Sequence, residues 1–389
     1  MRRTLLALAL VFVVLGAAVL WLRGGAKDAP AAQVATVVSL LGSGDTAGFR
    51  RAERPGGIRW PRDHGAHDDY RSEWWYFTGN LAAADGREFG FQLTFFRFAL
   101  APPQARESDW ATNQVYMAHF AVTDTVADEH RVGERFARGA AGLAGVDTEP
   151  FRAWLDNWSA ASTTAAFLPL QLSARDPAAG IALSLSLAPG KPPVRQGDRG
   201  LSPKGNEPGN ASWYYSYTRL PAAGTVELDG VRFEVTGLAW LDREWSTSSL
   251  AGGVVGWDWF GLQLEDGSDL MVYALRQRDG STAAQSAGSL VATDGSRQAL
   301  AAGDFRLAPL ARWQSPRSGV RWPTEWRVQV PGHDLDLEVR AAVADQEQNL
   351  SVRYWEGAVN VYSAAGGPRV GRGYMELTGY PPLPTNKPR

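Results

Sequence analysis

Three carboxylic acids in this chain sit among indoles. Asp258 lies between Trp257 and Trp259, and Asp242 and Glu244 lie just ahead of Trp245. A carboxyl held among large apolar rings resists ionisation and keeps its proton near neutral pH, which suits it to donate that proton. Aromatic faces beside it steady positive charge. Tyr273, in the run LMVYAL, adds a hydroxyl. Asp258 is the first candidate for an acid, followed by Glu244 and Asp242, with Tyr273 as a group that positions a reactant. A structural reading competes with this one. Arg243 beside Asp242 and Glu244, and Arg71 near Glu73, are the residue types of ion pairs that fix strand register.

A second cluster holds Asp63, His64, His67, Asp68 and Asp69. Two histidines separated by two residues, with carboxylates nearby, are ligand types for zinc or iron. The segment contains glycine and precedes a strand, where such residues cap turns, and no third well-placed histidine accompanies them. No metal and no other cofactor is therefore assigned. His119, in VYMAHFAV, reads as a hydrogen-bonded core histidine, and His130 and His333 as loop residues. There is no Gly-x-Ser-x-Gly elbow, and the serine-rich WSTSSL has no adjacent histidine, so a serine nucleophile has little support.

The elements that must position these residues are strands. In YRSEWWYFTGNL, residues 70–81, alternation sends Tyr70, Ser72, Trp74 and Tyr76 one way and Arg71, Glu73, Trp75 and Phe77 the other. Neither face is purely polar, so both meet something apolar. Tyr76 and Trp75 here, with Trp245, Trp257, Trp259 and Trp355 elsewhere, make a set too large for chance core positions. They share strands with Glu73, Arg97, Arg243 and Glu356, and together these residues are expected to line a ligand cavity or an inter-barrel groove.

Period-two patterning dominates the rest. IALSLSL, 181–187, puts Ile181, Leu183, Leu185 and Leu187 on one face and Ala182, Ser184 and Ser186 on the other. DPAAG joins it to PLQLSA as a hairpin, and other hairpins turn on Asp-Gly in AADGREF, VELDGVRF and LEDGSDL. WWYFTGNL at 74–81 aligns without a gap to WDWFGLQL at 257–264, 183 positions on, and SWYYSY at 212–217 echoes RYWEGAV at 353–359. The simplest account is a duplication. The expected fold is all-β, with two antiparallel barrels at residues 49–222 and 223–389, each able to enclose a small apolar ligand.

Composition narrows the function classes. The 389 residues carry 39 basic and 41 acidic side chains, which gives no electrostatic case for nucleic acid. There are 16 Trp, 15 Phe and 11 Tyr against 4 Met, and no Cys, which excludes disulfides, thiolate metal sites and cysteine nucleophiles. Leu5–Leu22 is an eighteen-residue apolar run behind Arg2 and Arg3. It reads as a retained membrane anchor within residues 1–25, followed by a tether over 26–48. The basic flank stays in the cytoplasm, placing the bulk outside it, in the periplasm of a bacterial inner membrane; cleavage near Ala17 and Ala18 would instead release it.

DHGAHDDYRSEWWYFTGNL, GREFGFQLTFFR, WLDREWSTSSL, GWDWFGLQLEDGSDLMVYALR, YWEGAV and GYMELTGY, in this order over residues 49–380, resemble the AttH/CrtC family of tandem lipocalin-like proteins. The resemblance implies two lipocalin-like barrels. Its CrtC branch is carotenoid 1,2-hydratase, which adds water across a terminal double bond of an acyclic carotenoid. Its AttH branch is associated with ABC-type export and labelled a secreted hydrolase. The resemblance implies a long apolar ligand, an isoprenoid or other lipid. Asp258 would then protonate carbon, the indoles would hold the cation, and Glu244 or Tyr273 would place water. The alternative is a carrier without chemistry, working with ABC transporter subunits. Asp242-Arg243-Glu244-Trp245 stands where the hydratases carry Asp-His-x-Trp, and Ala274-Leu275 follows Tyr273 where they carry an acid, which brings this chain closer to the AttH branch.

Overall fold

The computed structural model describes residues 45–382, except 106, 249, 251 and 365, together with 35–36. The expected anchor at 1–25 and most of the tether lie outside the described residues. Among the described residues, no helix is long and apolar enough to cross a membrane.

Two antiparallel sheets make up almost all of the structure. The first contains β1 (Ser72–Ala83), β2 (Glu88–Ala99), β3 (Gln114–Asp124), β4 (Glu129–Arg138), β5 (Ala144–Thr148), β6 (Phe151–Leu155), β7 (Trp158–Ser162), β8 (Leu170–Asp176), β9 (Ile181–Leu187), β10 (Ala211–Leu228) and β11 (Val231–Ser246). Their order is β4-β3-β2-β1-β11-β10-β9-β8-β7-β6-β5. The second contains β12 (Val254–Leu264), β13 (Asp269–Gln277), β14 (Ala287–Val291), β15 (Arg297–Ala301), β16 (Arg306–Gln314), β17 (Arg321–Val330), β18 (Leu335–Ala341), β19 (Val352–Ser363) and β20 (Arg369–Thr378), ordered β15-β14-β13-β12-β20-β19-β18-β17-β16.

The two aromatic repeats occupy equivalent places. WWYFTGNL lies in β1, between β2 and the returning β11, and WDWFGLQL lies in β12, between β13 and the returning β20. Each repeat opens its sheet and is closed over by that sheet's last long strand. The join differs from the expected one at residue 222. β10 and β11 form one long hairpin across that point, with Leu228 opposite Val231, and both lie in the first sheet. Asp229 and Gly230 turn this hairpin with φ of 48° and 81°, the two positive values a tight turn of this kind needs. The chain passes to the second sheet between Ser246 and Val254.

The sheets curl into barrel-like shapes. In the first, edge strand β4 reaches the far end through side chains: the Arg135 guanidinium lies 4.3 Å from the Trp158 ring centroid and donates to the Arg175 carbonyl at 3.0 Å. The alternation read in β9 is realised, with Ile181, Leu183, Leu185 and Leu187 buried and Ser184 and Ser186 exposed. Each such side chain contributes roughly 1.5–3 kcal/mol. Phe91, Trp158, Leu172 and Leu185 pack inside the first barrel, and Phe260, Trp326, Val339 and Val361 inside the second. Among the described residues these side chains fill much of each barrel, while Tyr70, Trp213 and Trp245 of the first barrel also border a separate space with Asp63 and His67. A third apolar cluster, with Tyr76, Tyr214, Trp240, Trp259 and Tyr273, lies between the barrels. Gly90 permits the close approach there, since a Cβ on it would stand 2.6 Å from the Ala358 Cβ.

Candidate functional site

Strand register assembles one wall of a cavity between the barrels. Reading across the first sheet, Tyr214, Glu244, Trp74, Phe96, Met117 and Phe136 stand opposite one another in turn. Two residues further along the same strands, Ser216, Asp242, Tyr76, Thr94, His119 and Glu134 do the same. Because side chains alternate, residues two apart share a face, so a largely apolar row runs beside a polar one. The second sheet faces these rows with Trp257 and Trp259 of β12, Tyr273 and Leu275 of β13, Tyr354 and Glu356 of β19, and Glu376 of β20. The cavity so lined holds about 120 Å³ and is partly open to solvent.

Acids crowd the deep end. Glu356 and Glu376 are directly opposite in the β19–β20 register, and burial together with the neighbouring Glu376 pushes the Glu356 carboxyl well above the usual carboxylate range. Burial raises Glu376 to about 7. Two carboxylates facing each other in one largely buried space do not both ionise readily, which favours a proton on the pair near neutral pH. Burial also raises Asp242 to about 7, although Ser216, Tyr214 and the Trp240 indole all donate hydrogen bonds to it. Nearer the mouth, Lys204 pairs with Glu244 at 2.9 Å and lies 4.9 Å from the Tyr273 ring centroid. Burial opposes the Lys204 charge, but Glu244, Tyr273 and Asp242 together outweigh it and its pKa is raised.

Of the residues singled out from sequence, Asp242, Glu244, Tyr273, Tyr76, Trp257, Trp259 and Glu356 come together on this cavity. Asp258 does not. Its neighbours Trp257 and Trp259 face the cavity, so alternation turns its carboxyl to the other side of β12. There it pairs with Arg276 at 3.1 Å and accepts from the Tyr380 hydroxyl at 2.9 Å. Burial raises it to about 6 against the lowering effect of Arg276, and the carboxyl is turned away from the cavity.

Glu73, Trp75, Arg97, Arg243 and Trp245 are also on opposite faces from the cavity, under the first barrel. The fully buried Glu73 carboxylate is bridged by Arg97 and Arg243, one from each flanking strand. Burial would raise its pKa, but the two guanidiniums hold it well below the usual range. The ion pairs expected between Arg243 and its sequence neighbours, and between Arg71 and Glu73, are thus replaced by cross-strand pairs. Trp355 faces the second barrel's core, its indole donating to the Ala344 carbonyl at 2.9 Å. The histidine–aspartate cluster divides. His67 bridges Asp63 and Glu73, each at 3.1 Å, whereas His64 meets the Tyr215 hydroxyl at 2.7 Å and Asp69 pairs with Arg50.

Sequence reasoning missed Trp74, Phe96, Tyr214, Lys204, Tyr354 and Glu376, while His119, read as a hydrogen-bonded core histidine, is buried and hydrogen-bonded and also lines the cavity. Two signals were available: Trp74 shares a face with Tyr76, and Glu376 interrupts the apolar run GYMELTGY.

The fold recurs in known proteins. The profile of the AttH-like family matches residues 51–380. The chain belongs to that family. A crystal structure from Nitrosomonas europaea assigned to AttH is 34% identical, covers 84% of this chain and 99% of its own, and superposes with a TM-score of 0.74. Kievitone hydratase from Nectria haematococca shares the fold, with a TM-score of 0.63 at 12% identity over 85% of this AttH-like chain and 98% of the hydratase. No curated protein matches the chain.

Proposed function

We propose that this AttH-like protein takes a long apolar alkene, an isoprenoid or related lipid, into the inter-barrel cavity and adds water across a carbon–carbon double bond by acid catalysis. One observation carries the reading: Glu356 and Glu376 stand opposite each other in an aromatic-walled space, where burial and their mutual repulsion favour a proton on the pair. Protonating carbon requires an acid that is neutral at working pH, and the cation formed requires a surround that does not trap it. Trp74, Trp257 and Trp259 present π faces for that purpose. Asp242 and Glu244 flank the same space. The resemblance to hydratases bears on the two departures differently. Position 243, where arginine replaces histidine, faces the Glu73 network and not the cavity, so that change removes nothing from the site. Leu275, where the hydratases carry an acid, does face the cavity, and the acids that share that cavity here are Glu356 and Glu376 together with Asp242 and Glu244.

Leu275 also favours a second reading, a carrier that holds the same ligand without chemistry and passes it to transporter subunits outside the cytoplasm. Lycopene incubated with the protein in heavy water separates the two. Deuterium and a new hydroxyl in the product support hydration, with E356Q losing at least a hundredfold in rate while uptake of the fluorescent polyene cis-parinaric acid stays within threefold. Tight uptake with unlabelled lycopene recovered intact would leave the carrier reading.

A further inference from the structure

A hydrogen-bonded chain reaches the cavity from its rim and is not needed for the acid just described. Glu134, on edge strand β4, has a side chain about one-sixth exposed and accepts from the Ser351 hydroxyl at 2.6 Å. Its carboxylate meets His119 Nε2 at 3.0 Å. His119 Nδ1 meets the Tyr354 hydroxyl on the other barrel. Tyr354 and Glu356 are two residues apart on β19, so both face the cavity about 7 Å apart along the strand. The Gln92 amide spans them, reaching the Tyr354 oxygen at 3.3 Å and Glu356 Oε2 at 2.8 Å.

The direction of these bonds follows from the donor inventory. An ionised carboxylate only accepts, so His119 Nε2 carries the hydrogen. Neutral imidazole then has a lone pair on Nδ1, and Tyr354 donates to it. Carboxylate, imidazole and hydroxyl stand in the order that lets the imidazole take a hydroxyl proton in catalytic triads. The phenol itself stays protonated at rest, because burial raises its pKa well above the ordinary value. It therefore acts by passing a proton on, and not as a standing phenolate.

We infer that Tyr354, set up by His119 and Glu134, is the base that activates the water, working against Glu356 as the acid. This rests on the hydration reading above. Glu356 gives its proton to one alkene carbon, and a C–H bond forms from the π pair. Water oxygen closes on the cationic carbon to form C–O. The water proton passes to the Tyr354 oxygen as the phenol proton moves to His119 Nδ1, leaving an imidazolium beside the Glu134 carboxylate. His119 is buried, so the excess proton leaves for solvent by way of Glu134, the imidazole returning to its Nε2–H tautomer before the next cycle, and Glu356 takes a proton up after product leaves. Tyr354 is the catalytic residue, and His119 and Glu134 are positioning residues.

Turnover of lycopene and uptake of cis-parinaric acid are measured on the whole protein. Y354F should lose at least a hundredfold in turnover with uptake within threefold. H119A should lose as much and recover at least tenfold with added imidazole, and E134Q should lose about tenfold, regained in part by E134D. Wild-type turnover in Y354F, or an H119A loss that imidazole does not relieve, would overturn the assignment. A readout independent of turnover is the nitrogen NMR of His119. The Nε2–H tautomer, with an Nδ1 resonance that moves in Y354F, supports the relay. The Nδ1–H tautomer, or no response to Y354F, overturns it. Absence of hydration by the wild type would sink the proposed function instead, leaving the relay to stand or fall on the NMR.

Discussion

A single step along β12 separates Trp259, whose ring lines the cavity, from Asp258, whose carboxyl is held by Arg276 and Tyr380. The same step on β11 separates Asp242 and Glu244, on the cavity, from Arg243, in the Glu73 network. Residue type is therefore a poor guide to role in these strands until the face is known. D258N should leave cis-parinaric acid uptake within about threefold and cost about 1–3 kcal/mol in urea denaturation, because it leaves the Arg276 guanidinium without its counter-charge. A loss of uptake with unchanged stability would contradict the placement of Asp258.

At the scale of the element, β1 carries the acidic centre of the first barrel on one face and the cavity's Trp74 and Tyr76 on the other. Glu73 answers two guanidiniums, so removing its charge strands both. E73Q should cost about 3–5 kcal/mol of stability, read by the same denaturation. The cavity acids act with the opposite sign. Asp242 and Glu376, raised to about 7, hold protons in the folded protein that the unfolded chain has already released. Stability should therefore fall as pH rises from the ordinary carboxylate range through 7, with the penalty complete above it. Glu73 and Asp63, both held low, lose their contribution instead as pH falls below that range. Denaturation midpoints from pH 5 to 8.5 check this: E376Q should flatten the decline, gaining roughly 1–3 kcal/mol at the alkaline end. A decline as steep as in the wild type would show that Glu376 is not the group responsible.

At the scale of the whole molecule, the cavity exists only while the barrels hold their separation. Asp269, at the start of β13, accepts from Lys191, Thr218 and Arg219 of the first barrel at 2.8, 2.8 and 2.9 Å. Gln263 donates to the Thr218 and Ala239 carbonyls, and Asn80 to the Gly373 carbonyl. Buried polar contacts of this number fix one arrangement of two preformed barrels. D269A should leave the far-ultraviolet circular dichroism of the sheets unchanged and weaken cis-parinaric acid uptake more than tenfold. Equal uptake would mean that this clamp does not shape the cavity.

Much of the architecture was legible in the chain itself. Alternation in β9, the Asp-Gly turns and the paired aromatic repeats are local patterns, and local sterics and burial suffice to make strands and hairpins from them. Seven of the residues picked for chemistry do line one site, because alternation on β1, β11, β12, β13 and β19 places them on shared faces. What no local pattern contains is the partner of each face. Glu376 meets Glu356 only when β20 pairs with β19, and His119 meets Tyr354 only when two barrels dock. The same docking creates the aromatic-walled cavity between the barrels. Sequence determined which residues form strands and which share a face; only the tertiary structure decided what each face looks at, because that depends on strands far apart in the chain closing on one another.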